Sequence, residues 1–208
     1  IAICISGSLR QFKTCYPHLR EYFFGVEGVE YDFFFSTWDS KIAHEKVDFR
    51  DEGTFEEALD LYKPKKYNYE IYDDKKRGEL AELSGLNEYQ KIRCADYVRQ
   101  NKNISYKNSV TGGTYAYNII GQLYNIYQAN KLKCEHEKEK GFKYDICMRL
   151  RFDAWVDNGN PITNKQLQNV KDGEIVVPKA RWNKAIHQPW RFGPDDKFAM
   201  GKSHDMDC

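Results

Sequence analysis

The sequence has no excess charge of either sign: 32 Lys+Arg stand against 31 Asp+Glu over 208 residues, a formal net charge of +1. Without a global field, recognition of nucleic acid or an anionic membrane by bulk charge is excluded, and any anion site must be built locally. No run approaches the roughly 18 apolar residues of a membrane-spanning helix, so no span is expected. The first residues carry no basic stretch ahead of an apolar core. The six cysteines, Cys4, Cys15, Cys94, Cys134, Cys147 and Cys208, include no CxxC pair. Cys4 and Cys147 lie within apolar runs, where a thiol packs as a small hydrophobe, so a reducing, cytoplasmic setting is expected. The five histidines, His18, His44, His136, His187 and His204, form no HExxH, which argues against zinc. GxxxxGK[ST], GxGxxG and GxSxG are all missing, as are internal repeats and low-complexity linkers.

What is present reads as one domain over residues 1–208 with an insertion at 75–109. Its start within a strand-like run and its stop at Cys208 suit the N-terminal part of a longer protein. IAICISG is a short apolar run ended by Gly7, the pattern of a strand buried on both faces. From Arg10 to Phe24, Phe12, Tyr16, Leu19, Tyr22 and Phe23 recur at helical spacing despite Pro17. YDFFFSTWD is a second strand, and Thr54 with Glu57 forms a capping box for a helix to Leu61, stopped by Pro64. KYNYEIYDD alternates as a third strand. A charged stretch follows, with one helix expected near 87–99. TGGTYAYNIIGQLYNIYQANKLKCEHEKEKGF is expected as one long helix ended by Gly141, burying Tyr117, Ile120, Leu123, Tyr124, Tyr127 and Leu132. YDICMRLRFDAWV and GEIVVPKA read as further strands, and FAMGKSHDMD as the start of a helix. Alternating strands and helices predict an α/β fold, a doubly wound, mostly parallel central sheet flanked by helices. Right-handed crossovers bring the strand ends ISGSLR, STWD, YDD and RLRFD to one edge, where ligands of such sheets bind.

Two of these ends suit an anion. Ser6, Gly7, Ser8 and Arg10 stand between a strand and a helix, offering backbone N–H groups, hydroxyls and a guanidinium. The plain alternative is a tight βα turn. Arg149 and Arg151, two apart on a strand, face one side while Met148, Leu150 and Phe152 face the other. A diphosphate, or carboxylates close by, would compensate that cationic side. Asp153 is a candidate oxygen ligand for a divalent cation. Of Asp195 and Asp196, one is expected to cap a helix and the other to reach a sugar. Trp182, Trp190, Phe192 and His187 crowd the preceding loop, where aromatic rings suit stacking on sugars.

ISGSLRQF, FFFSTWD, YDICMRLRFDAW and DDKFAMGKSHDMD together resemble the small GT-A type glycosyltransferases of large algal DNA viruses and of bacterial surface-polysaccharide clusters, over nearly the whole chain. The resemblance implies a GT-A-like, Rossmann-like three-layer fold and a hexosyltransferase. Such an enzyme moves a sugar from a nucleotide-sugar donor, a UDP-sugar favoured, to a glycan or glycoprotein acceptor, with Mn²⁺ or Mg²⁺. It further implies a virus-encoded enzyme glycosylating a capsid protein in the host cytoplasm, as a monomer or weak oligomer. Carried over by position, Ser6, Gly7, Ser8 and Arg10 line the nucleotide, and Trp38 and Asp73 lie near base and ribose. Arg10, Arg149 or Arg151, with a divalent ion, stabilises the leaving diphosphate, Asp153 takes the metal, and Asp196 is the candidate base of an inverting reaction. The sequence departs from the family's DxD pattern, since Asp157 is the next carboxylate after Asp153 and Asp73–Asp74 is the rival acidic pair. Inverting and retaining chemistry both remain open, as do a sugar nucleotidyltransferase and a non-catalytic nucleotide- or carbohydrate-binding module. A sugar nucleotidyltransferase would carry a loop richer in glycine and basic residues than ISGSLRQFK.

Overall fold

A computed structural model describes residues 1–39, 53–83, 113–155, 160–177 and 198–207. Its elements run β1 (Ala2–Ser6), α1 (Phe12–Phe23), β2 (Asp32–Asp39), α2 (Phe55–Tyr62), β3 (Lys66–Ile71), α3 (Asp74–Leu83) and α4 (Gly113–Lys140). There follow β4 (Ile146–Arg151), α5 (Asn164–Gln168), β5 (Ile175–Val176), β6 (Phe198–Lys202) and a 3₁₀ turn, Ser203–Met206. The six strands form one sheet in the order β3-β2-β1-β4-β6-β5. β3, β2, β1 and β4 are parallel, and β6 runs antiparallel to both β4 and β5. This is an α/β fold with a mostly parallel sheet, as the alternation of apolar runs predicts.

Both faces are covered, so central strands read as continuous apolar runs. Ile3 and Ile5, Phe35, and Ile146, Met148 and Leu150 point to one side, where Phe12, Leu19, Ala58 and Leu167 of α1, α2 and α5 pack on them. Ala2, Cys4, Phe34 and Cys147 point to the other, under Ala129 and Leu132 of α4. Thr54 and Glu57 form both bonds of the capping box that starts α2. Gly141, at φ 72, adopts the left-handed conformation that ends α4, and its N–H and that of Phe142 both reach the Glu137 carbonyl.

Three expectations are corrected. Residues 198–202 are a strand rather than a helix start, because Phe198, Ala199 and Met200 are buried between β4 and β5, and a five-residue apolar run has no period to distinguish the two. The first part of 75–109 is helical: Asp73 accepts from the Lys76 backbone N–H at 2.8 Å and starts α3. The helix expected at 87–99 lies outside the described residues. On α4, Leu123 and Tyr127 are exposed, Tyr124 and Leu132 are partly buried, and the side chains of Tyr117 and Ile120 lie outside the described part. The stripe facing the sheet is instead Gly121, Asn125, Ala129, Lys133 and Glu137, one residue every four. Glycine and alanine let the helix approach closely, and the polar members find partners beneath it.

Candidate functional site

The chain steps outward from β1 through β2 to β3, then returns to lay β4 on the other side of β1. By the rule for open α/β sheets, that reversal places the ligand crevice beyond the carboxyl ends of β1 and β4. Ser6 is in register with Arg151 on one side and Ser36 on the other. Gly7 follows at φ 113, a conformation that a side chain would strain, and its N–H bonds to the Ser36 carbonyl at 3.2 Å, turning the chain across the end of β2. The turn leads into α1, whose N-terminus no side chain caps and whose first turn has no acidic residue. Its first N–H groups thus favour negative charge.

Arg10 Nε donates to Ser8 Oγ at 2.8 Å, and its Nη2 lies 3.7 Å from Asp153 Oδ2. Arg151 grips the same carboxylate with both prongs, Nε to Oδ1 at 2.8 Å and Nη2 to Oδ2 at 2.9 Å. The loops after β1 and β4 therefore meet through one shared carboxylate. Arg149, two residues back on the α4 side, is half-buried beside Ser6. Three guanidiniums and one carboxylate give this group a surplus of positive charge.

Asp153 does not fit a cation site in this arrangement. Each of its oxygens receives a hydrogen bond from the Arg151 fork, and a divalent ion would have to share the carboxylate with that bidentate pair against two adjacent positive charges. Its role here is to orient Arg151 and Arg10. Among the described residues, His/Cys/Asp/Glu groups close enough to share an ion are Cys134, Glu137 and Asp207, and Asp172, His204 and Asp205. Both sit away from the crevice, and Glu137 and Asp207 are already bonded to Lys143.

Ser6, Gly7, Ser8, Arg10, Arg151 and Asp153 are thus brought together, with Arg149 beside them. Asp73 stands apart as the cap of α3. Trp38 is 8% exposed, stacked on Tyr124 at 5.4 Å and tilted against Tyr72 at 4.7 Å, so its ring is core rather than a platform for a base. Asp196, Asp195, Asp157, Trp182, Trp190, Phe192 and His187 lie outside the described residues.

Sequence reasoning missed the polar belt under α4. Asn68, Ser36, Ser6 and Arg151 are in register across four parallel strands, and Ser36 Oγ donates to Asn125 Oδ1 at 2.7 Å. Asn125 is wholly buried, and its Nδ2 has no partner among the described residues. Glu70 accepts from Tyr124 at 2.8 Å and from Asn68 at 2.6 Å, and pairs with Lys76. Burial alone would raise the Glu70 pKa; Lys76, Asn68 and Tyr124 outweigh it and hold the carboxyl below its ordinary value. The available signal was the four-residue spacing of small and polar residues on α4.

Among the described residues no helix is long and apolar enough to cross a membrane. Comparison with protein-family models, with curated proteins and with solved structures finds no match to this chain.

Proposed function

We propose that the chain is a glycosyltransferase catalytic domain of the GT-A kind that takes a nucleotide-sugar, a UDP-sugar favoured, and transfers its sugar to a glycan or glycoprotein acceptor. The observation that carries the reading is the meeting of Arg10 and Arg151 on Asp153 where the strand order reverses. Departure of a nucleoside diphosphate leaves charge on phosphate, and oriented guanidiniums beside the uncapped α1 N-terminus stabilise charge developing there. Asp153 holds the two forks in place before the ligand arrives, so less freedom is lost on binding. Arg149 adds positive charge from below. A divalent ion would supply further neutralisation of the diphosphate, with carboxylates other than Asp153. Asp196 remains the candidate base toward the acceptor hydroxyl.

The internal pairing of Arg151 with Asp153 also favours a second reading, a non-catalytic nucleotide-binding module. Titration with a panel of UDP- and GDP-sugars, with and without Mn²⁺, separates the two. Binding with slow donor hydrolysis supports the transferase, binding without turnover supports the module, and no binding of any donor ends both. Arg151→Met is expected to weaken donor binding about tenfold or more, the loss of roughly one charge-assisted hydrogen-bond pair. Asp153→Asn is expected to leave metal dependence unchanged; abolished metal-dependent turnover with intact donor binding would restore Asp153 as a metal ligand.

A further inference from the structure

Three sulfur-bearing side chains line one small cavity on the α4 side of the sheet. Cys4 of β1 and Cys147 of β4 lie diagonally across the strand pair, Ala2 being the register partner of Cys147, and their Sγ atoms are 3.7 Å apart. Both residues are buried, at 3% and 1% exposure. The cavity beside them measures about 30 Å³, and Met206 of the 3₁₀ turn forms another part of its wall, with Ser6, Asn130 and Arg149 completing the polar lining. This is the space of about one water molecule, enough for a bare metal ion. The lining includes no carboxylate and no imidazole.

We propose that Cys4, Cys147 and Met206 form a binding site for a soft, thiophilic monovalent cation, Cu(I). Two thiolates and a thioether are the donor set that selects such an ion over hard cations and over those that prefer nitrogen or oxygen. With metal–sulfur bonds of about 2.3 Å, a 3.7 Å sulfur separation subtends roughly 107° at the metal, close to the tetrahedral angle, so the two thiolates need no strand movement to share an ion. Each thiol gives up its proton to solvent and its sulfur lone pair to the metal; nothing is oxidised or reduced. The resulting bis-thiolate complex carries one negative charge, and the Arg149 guanidinium on the same cavity wall offsets it. Met206 is half-buried whereas Cys4 and Cys147 are buried, so the Met206 side of the cavity is the one nearer solvent.

The test is anaerobic transfer of Cu(I) from a chromophoric chelator to the folded chain, followed by copper X-ray absorption. One equivalent per chain, retained through gel filtration and surrounded by sulfur alone at about 2.3 Å, is expected. Coordination by nitrogen or oxygen overturns the proposal. Cys4→Ser and Cys147→Ser are each expected to weaken binding at least about 100-fold, beyond the loss typical of a second-shell partner, and Met206→Leu about tenfold. A variant with Cys15, Cys94, Cys134 and Cys208 all replaced by serine keeps Cys4, Cys147 and Met206, and is expected to bind as the parent does. Loss of binding in that variant, or retention in the Cys4/Cys147 double variant, sinks the assignment. None of these outcomes depends on the transferase reading.

Discussion

On the α1 side of the sheet the contacts are apolar and aromatic: Phe152 meets Phe35 edge-on at 4.9 Å, and Tyr62 packs against both. On the α4 side the equivalent depth holds Lys133 and Glu137, whose side chains are 0% and 1% exposed. Lys133 Nζ donates to Ser203 Oγ at 2.6 Å and bonds to Asp207, while Glu137 accepts from Ser203 Oγ at 2.7 Å and the Tyr144 N–H at 3.0 Å. One face is held by excluded water alone, and the other adds to its apolar cluster a polar network that ties the segment after β6 to α4. An apolar face tolerates volume-conserving change, whereas a buried network depends on every member being present.

The largest expected effect lies on the apolar face. Phe152→Ala should cost about 3–5 kcal/mol and lower the melting temperature by about 10 °C, because the ring is fully buried and leaves a cavity. Phe152→Leu should cost much less, and equal losses from the two would show that this face is not simply packed. On the α4 face, Glu137→Ala is expected to cost about 3 kcal/mol, less than the full penalty for a stranded buried charge, since Asp207 still faces Lys133. Denaturant unfolding of both variants sets the two costs side by side.

The pH dependence of stability sharpens the contrast. Burial by itself would raise the pKa of Glu137, but Lys143, the Tyr144 N–H, Ser203 and Lys133 outweigh it and hold the carboxyl below 4.5. Asp207 is likewise held below 3.8 by Lys133, Cys134 and Lys143 against the effect of burial. Groups with lowered folded-state values contribute stability that is complete above the ordinary pKa and is lost as pH falls below it. Thermal melts from pH 7 to pH 3 should therefore show an acid limb that flattens in Glu137→Gln. The deficit of Phe152→Ala should stay constant over the same range. Smallest of all, Thr54→Ala removes the hydroxyl half of the α2 capping box and should cost about 1 kcal/mol with no change in the acid limb.

The α1 face was legible in the sequence because its signals are local. Apolar runs in β1, β2 and β4, the helical spacing of Phe12, Leu19 and Phe23, and the Thr54–Glu57 pair are each read within a dozen residues. The same holds for Arg149 and Arg151, whose shared side follows from strand alternation alone, and for the cluster of ISGSLR with RLRFD, which follows from a right-handed parallel topology. What failed was also local in origin. Phe198–Lys202 is too short to carry a period, and Leu123 and Tyr127 on α4 read as a buried stripe because apolar residues are assumed to face inward.

By itself the sequence determined the α/β class, the parallel core strands, the boundaries set by Thr54 and Gly141, and the chemistry offered at each strand end, because these follow from pattern and from backbone stereochemistry. Only the tertiary structure decided how that chemistry is shared. Whether Asp153 faces a cation or a guanidinium depends on where Arg151 points. Whether Lys133 is solvated or buried depends on what lies across from it, and whether Cys4 meets Cys147 depends on which strands are neighbours. Each is a contact between residues far apart in the chain, where propensity is silent and packing settles the outcome.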